Sequence, residues 1–492
     1  MKISLVSIFR KNPHCPHKYK TQSNNKIKNP RTKMTETHDR TLSGTFNLDQ
    51  SEPLLVSKHA SFASFYKQHP DQSANANFGK VLYMSTCFLV LFTAATGAQT
   101  LTAQLYQELH YATLGKLNQS TVYGVFCLAA LLTPGLTKNW GYKNGVFIGS
   151  LGFIFTLIAG AMTASCEDNK LSPFCQNDVY VYAVNLSCSV LNGLTAPILW
   201  TFANRYVTSC ANESNKGKYL GTFSSFVFAA GVAGSILGAI VIPRMGTVKF
   251  YYIASGLTLL AITMIFLAPN VPKYGEQNGS ETVFDKIKSM ARMAPSRQMR
   301  PLLPFFFCCG FLLAVYYGFE YNIVLHAIPG RSQSEQDEVT ATVMLVEGIM
   351  TVVASFSAGK LADSIKRISV IYIYLCCGVL ALVTSFMSYQ TQSLFLAYVM
   401  ASFWGIAYSG GYTMANIIVS KDFEGSSEAF NVYNFLSTLA TSLGFGLCVI
   451  VKDIPTFLCI AAVILVLTKI SVFFFKQKDE LVAKEDFLEK GL

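Results

Sequence analysis

The sequence predicts an all-α, polytopic membrane protein with about twelve transmembrane helices, arranged as a six-plus-six pseudo-symmetric bundle. Three observations predict it. Only 14% of the 492 residues are charged and 51% are hydrophobic, whereas ordinary soluble domains carry roughly 25% charged residues. About twelve apolar stretches recur, each near the 20 residues that a spanning helix needs. The longest hydrophilic interval between them, 269–300, falls after the sixth. Disorder, a fibrous chain and a string of small soluble domains are excluded by this composition. The alternating apolar pattern of barrel strands is not seen.

The elements follow in order. Residues 1–77 read as a disordered cytoplasmic tail. Its first 33 residues hold nine Lys and Arg and no acid, against a net charge of +11 for the whole chain, so the remainder is nearly neutral at +2. No interleaved basic and aromatic patch exists for nucleic acid. The leader has no apolar core, so it is not a secretory signal. Its composition fits a transit peptide, but Pro13, Pro16 and Pro30 break any long amphipathic helix. With Met34 opening a second start, a disordered tail or upstream sequence that is not always translated is expected over a mitochondrial address. Residues 49–55 approach an acidic dileucine sorting signal, which chance explains more readily.

The first half, 78–268, contains spans near 78–103, 117–138, 144–165, 178–204, 217–241 and 249–268. A cytoplasmic linker, 269–300, follows. The second half, 301–476, contains spans near 301–326, 338–361, 367–389, 392–419, 427–451 and 454–476. A cytoplasmic tail, 477–492, ends the chain. Placing the N-terminus in the cytoplasm puts fifteen Lys and Arg in cytoplasmic loops and six in opposite loops, the expected sense of asymmetry. Within the linker, Val283, Phe284, Ile287, Met290 and Ala291 fall on one helical face. Either a helix lying on the membrane surface or a solvated linker helix fits this pattern.

Of the 13 cysteines most lie in spans, where they act as small apolar residues. Cys166 and Cys175 share one polar loop outside the cytosol, where a disulfide is expected ahead of two free thiols. Four Asn-x-Ser/Thr sites, at Asn118, Asn185, Asn212 and Asn278, all sit where glycosylation is not expected. No zinc spacing and no cofactor motif occurs, and no P-loop, nucleophile elbow or kinase set is present, so no enzyme is expected.

Between spans eight and nine stands the run Gly359-Lys360-Leu361-Ala362-Asp363-Ser364-Ile365-Lys366-Arg367. It resembles the loop pattern of the major facilitator superfamily, whose architecture matches the six-plus-six count. A tight turn, with an acid and bases bracing helix ends, is the expected role of Gly359, Asp363, Lys366 and Arg367. The first-half counterpart, residues 134–143, lacks the acid. Ala196-Pro197-Ile198-Leu199-Trp200-Thr201-Phe202-Ala203-Asn204-Arg205-Tyr206-Val207-Thr208 resembles the signature stretch of the Unc-ninety-three-like (uncoordinated) family within that superfamily. Residues 215–223, 303–305 with Gly310 and Glu320, and 427–433 extend the resemblance loosely over 78–476. Pro197 and Phe202 depart from its pattern. The resemblance implies a facilitator-like fold that regulates a potassium channel, and so ion homeostasis, or escorts a receptor. It also implies a plasma or endolysosomal membrane.

Two acids lie inside spans: Glu320, about 9 Å from the outer end of span seven, and Glu347, about 12 Å deep in span eight. No Lys or Arg shares that depth in either helix. Two carboxylates in one low-dielectric cleft would leave one carrying a proton or binding a cation. The alternative for Glu320 is access to interfacial water, and for Glu347 a hydrogen bond to a neighbouring helix. Gln99, Asn192 and Asn416 are candidate substrate-path residues, although amides in spans more often join helices. The expected function is regulation or escort of a membrane partner, such as a potassium channel or receptor. The alternative is a proton- or cation-coupled solute transporter that uses the cavity between the halves. Unpaired midspan acids favour the transporter, and the missing first-half acid favours lost or altered transport.

Overall fold

The computed structural model describes residues 74–476 except 109–110, 112, 137–139, 167–168, 170–171, 272–282, 331–332 and 452. The basic leader, the dileucine-like run, Asn278 and the C-terminal tail lie outside the described residues. Every regular element among the described residues is helical. The first half comprises α1 (Ala74–Glu108), α2 (Leu114–Leu136), α3 (Tyr142–Ser150), α4 (Gly152–Ala164), α5 (Asp178–Cys210), α6 (Lys216–Met245) and α7 (Thr247–Leu267). The linker carries α8 (Val283–Met293). The second half comprises α9 (Leu303–Gly318), α10 (Glu320–His326), α11 (Gln333–Ser364), α12 (Arg367–Thr391), α13 (Leu394–Asp422), α14 (Ser427–Ile450) and α15 (Ile454–Phe473). Helices α3 and α4 together form span three; α9 belongs to the seventh span, Arg300–Gly318, and α10 follows it within the interval 301–326 expected for span seven. Twelve segments among the described residues are long and apolar enough to cross a bilayer.

Helix boundaries follow local chemistry. Asn177, Ser393, Ser426 and Asp453 each accept from a backbone N–H in the first turn of α5, α13, α14 and α15. Gly246, at φ 84°, turns the chain between α6 and α7, a conformation that favours glycine. Large apolar side chains such as Leu128, Tyr252, Phe395 and Val463 point outward, which suits lipid rather than water. The centre is filled by a continuous cluster of buried apolar side chains from both halves.

The halves meet along α6 against α11, α2 against α14, and α13 against α5 and α6. At the α6–α11 crossing, a Cβ on Gly359 would lie 2.4 Å from the Gly217 carbonyl oxygen and 2.9 Å from Gly221 Cα. Gly359 lies inside α11, so its role is this close backbone approach and not the expected tight turn. Span seven is discontinuous. Phe319, at φ −123° and ψ −32°, separates α9 from α10 one residue before Glu320.

The linker helix α8 packs against α2 and α14. Its apolar residues do not form one buried face: Met290 is buried, whereas Phe284 is 71% exposed. Cys166 and Cys175 are joined as a disulfide, with Cα atoms 5.4 Å apart, across the loop from α4 to α5.

Candidate functional site

The fold brings Glu320, at the start of α10, beside Glu347, near the middle of α11. Each is 1% exposed, and their carboxyl groups lie within electrostatic reach of one another. Neither oxygen of Glu320 has a hydrogen-bond partner, nor does Oε1 of Glu347. Interfacial water therefore does not reach Glu320, contrary to one of its two expected readings. The break at Phe319 places Glu320 in the first turn of a new helix, where backbone N–H groups favour negative charge. On the other side, α13 approaches Glu347 closely. A Cβ on Gly405 would lie 2.7 Å from the Glu347 carbonyl oxygen. Two buried acids side by side, with no base between them among the described residues, cannot both stay ionised cheaply, so such a pair holds a proton or takes up a cation.

Tyr316, one turn before Glu320, lies within electrostatic reach of both carboxyls and also lines a central cavity of about 120 Å³. That cavity lies between the halves and is markedly aromatic. Trp200, Tyr123 and Phe228 contribute from the first half, and Tyr408, Tyr412 and Tyr433 from the second. Phe228 packs edge-on to Tyr408 and Tyr412, with centroids 5.4 Å and 5.8 Å apart. Of the expected path residues only Gln99 lines this cavity, and its Nε2 donates to Gln119 Oε1 at 2.6 Å. Asn192 instead lines a second cavity, of about 140 Å³, within the first half.

Asn416 on α13 accepts at Oδ1 from Asn204 Nδ2 on α5 at 2.8 Å, and its own Nδ2 donates to the Tyr412 carbonyl. Nearby, Thr201 on α5 donates to Asn431 Oδ1 and accepts from Asn434 Nδ2, both on α14. These bonds tie the halves together between the central cavity and the face that carries the linker. Asn416 is thus a joint between halves and not a cavity-lining group.

On the linker face, Asp363 caps α6. Gly217 N–H donates to its Oδ1 at 3.0 Å and Lys218 N–H to its Oδ2 at 2.7 Å, while Lys421 Nζ donates at 2.7 Å. Arg367 forms a two-pronged, buried pair with Asp422, from Nε at 3.0 Å and Nη2 at 2.9 Å. Asp363, Arg367 and their partners therefore brace four helix ends. Lys366 contributes the residue immediately before α12. The first half braces differently. A Cβ on Gly135 of α2 would lie 2.7 Å from Val283 Cα of α8. Lys286 of α8 then pairs at 2.6 Å with Glu428, in the first turn of α14. The linker helix thus braces α14 in the first half's connection, as Asp363 of α11 braces α6 in the second's.

The aromatic lining as a whole is not legible in the sequence, because aromatic residues are 13% of this chain and common in every span. Sequence reading also missed Asp422, which a terminal acid beside Lys421 could have signalled. No cluster of three or more His, Cys, Asp or Glu that could hold a metal occurs among the described residues.

Comparison with known proteins accords with this architecture. The family model described as Major Facilitator Superfamily matches residues 84–445. Protein unc-93 homolog A of Bos taurus is 24% identical over 448 residues, covering 80% of this chain and 90% of the relative. The Homo sapiens protein of that name is 23% identical over 438 residues, covering 76% and 88%. Among solved structures, the E. coli fucose:proton symporter FucP superposes with a TM-score of 0.61 at 15% identity, covering 82% of this chain and all of that one. The proton:xylose symporter XylE, bound to 6-bromo-6-deoxy-D-glucose, gives 0.59 at 14% identity, covering 83% and 99%. The chain is an unc-93-like member of the Major Facilitator Superfamily, built as a multi-pass membrane protein.

Proposed function

We propose that this protein is a proton-coupled solute carrier. The observation that carries the reading is the pairing of Glu320 and Glu347 within electrostatic reach, both buried, with three of their four oxygens unpartnered. A static ion pair would supply a base, and a structural acid would find a donor. Three oxygens of this pair have no donor, no base is paired with it among the described residues, and Glu320 stands one helical turn from a cavity-lining tyrosine. A proton entering or leaving it changes the local charge beside Tyr316. That change would bias the closure of the second half around the cavity. The two symporters that share the fold are each coupled to protons by name, which accords with the reading. The test is proton movement in vesicles reconstituted with the full chain, followed with a pH-sensitive dye under an imposed membrane potential. Glu347→Gln is expected to abolish flux that the unaltered protein shows. Equal flux in both would overturn the proposal.

A second reading is regulation or escort of a membrane partner, such as a potassium channel or receptor. The absence of an acid in residues 134–143, and the brace supplied by Lys286 and Glu428 in its place, favour altered transport. Co-expression with a potassium channel, measuring current with and without this protein, tests it. Unchanged current and no co-purification would count against it.

A further inference from the structure

We infer that the second cavity, inside the first half, is a binding site for a neutral, hydroxyl-rich solute about the size of a hexose. It lies among α1, α2, α4 and α5, apart from the acid pair, and no charged side chain is among its described lining residues. Two of its amides are left with an unpartnered carbonyl oxygen: Asn118 Oδ1 on α2, at 9% exposure, and Asn192 Oδ1 on α5, at 7%. Several other polar lining groups are already engaged. Tyr106 donates to Asn185 Oδ1 at 2.5 Å, Asn185 donates to Thr163 at 2.8 Å, and Gln99 donates to Gln119 at 2.6 Å.

A buried carbonyl oxygen without a donor is destabilising by about 1–3 kcal/mol, so two on one cavity call for a molecule that brings donors. A hydroxyl both donates and accepts, so it satisfies an amide in either orientation of its oxygen and nitrogen. A charged ligand would lose its hydration and find no counter-charge among the described lining residues. Phe92, Phe153 and Trp200 supply flat apolar walls, which suit the C–H faces of a ring carrying hydroxyls at its edge.

The site also has a way in. Phe92, Gln99, Tyr123, Phe126 and Trp200 line both this cavity and the central one, so rotation of Gln99 or Tyr123 would join them. The Gln99–Gln119 bond spans α1 to α2 at that wall and marks where the partition would open.

The experiment is equilibrium binding of tritiated D-glucose and tritiated myo-inositol to the purified full chain in nanodiscs, with no gradient imposed. Saturable binding of at least one probe is expected, with no competition from tetramethylammonium or glutamate. Asn192→Leu removes one acceptor and is expected to weaken binding roughly tenfold. Ala95→Leu fills the cavity without removing a polar group, and serves if the first variant fails to fold. It too should weaken binding tenfold or more. Lack of saturable binding by the unaltered protein overturns the inference. So does undiminished binding in either folded variant, or competition by either ion. The readout requires no flux, so a failed proton-flux test leaves this inference standing, and failed binding leaves the carrier reading standing.

Discussion

Asn204 and Asn416 are the first half's and the second half's members of one buried hydrogen bond, 2.8 Å long and formed by residues 212 positions apart. Both side chains are almost wholly enclosed. Any motion that parts the halves on this side of the cavity must break the bond. Asn416→Leu is expected to lower stability by about 1–3 kcal/mol, because it leaves the Asn204 amide buried without its acceptor. Asn204→Leu combined with Asn416→Leu should cost less than the sum of the single changes. Thermal unfolding in detergent checks both.

Gly359→Ala should be poorly tolerated. The added carbon would meet backbone of α6 at 2.4 Å, and backbone cannot swing aside as a side-chain tip does. The expected outcome is an unfolding midpoint several degrees lower, or loss of monodisperse protein on size exclusion. Gly256→Ala, where nothing lies within 4 Å, is the matched control and should leave both unchanged.

Glu320→Gln should raise the unfolding midpoint. The carboxyl is enclosed, unpartnered and next to a second carboxyl, so a neutral isostere removes repulsion and a desolvation penalty together. Differential scanning fluorimetry at neutral pH reads the change. A lower midpoint would mean that the acid is structurally required.

Asp453 gives a pH prediction outside the spans. It accepts from Thr456 N–H at 2.9 Å and from the Thr456 hydroxyl at 2.6 Å, and these bonds hold its carboxyl below the ordinary 3.8. A depressed carboxyl stabilises the fold above its unfolded value, and that contribution is lost as pH falls through its folded value. The group is exposed, so the effect is local. Amide exchange at Thr456, corrected for its intrinsic rate, should quicken below the folded value and not between neutral and mildly acidic pH.

Replacing Cys166 and Cys175 by Ser should lower stability by ~2–3 kcal/mol on the chain-entropy account of a loop this short. Reducing agent should lower the unaltered protein's midpoint similarly and leave the double variant unmoved. Equal midpoints for both proteins would show that the link does not constrain the unfolded chain.

The linker helix illustrates a boundary between what the residues and the fold each supply. Its extent within 282–297 was legible from helical periodicity, and the structure has α8 at Val283–Met293. Periodicity placed Phe284 and Met290 on one face. Packing separates them, because α8 meets α2 and α14 with Met290 buried and leaves Phe284 exposed. Gly359 is a parallel case. Its place in a motif was readable, but its partner is a backbone carbonyl 142 residues earlier, which no local pattern reveals.

The sequence by itself determined the class, the number of spans and their grouping in sixes. Those follow from transferring apolar side chains out of water and from the need of every buried peptide group for a partner within its own segment, both of which act locally. Tertiary structure alone decided that Glu320 meets Glu347, that Asn416 joins Asn204 instead of lining a path, and that Asn118 and Asn192 share one cavity. Such meetings depend on how helices distant in sequence rotate and tilt against one another. That is set by close packing of many small contacts at once, of which any single stretch of residues carries only its own half.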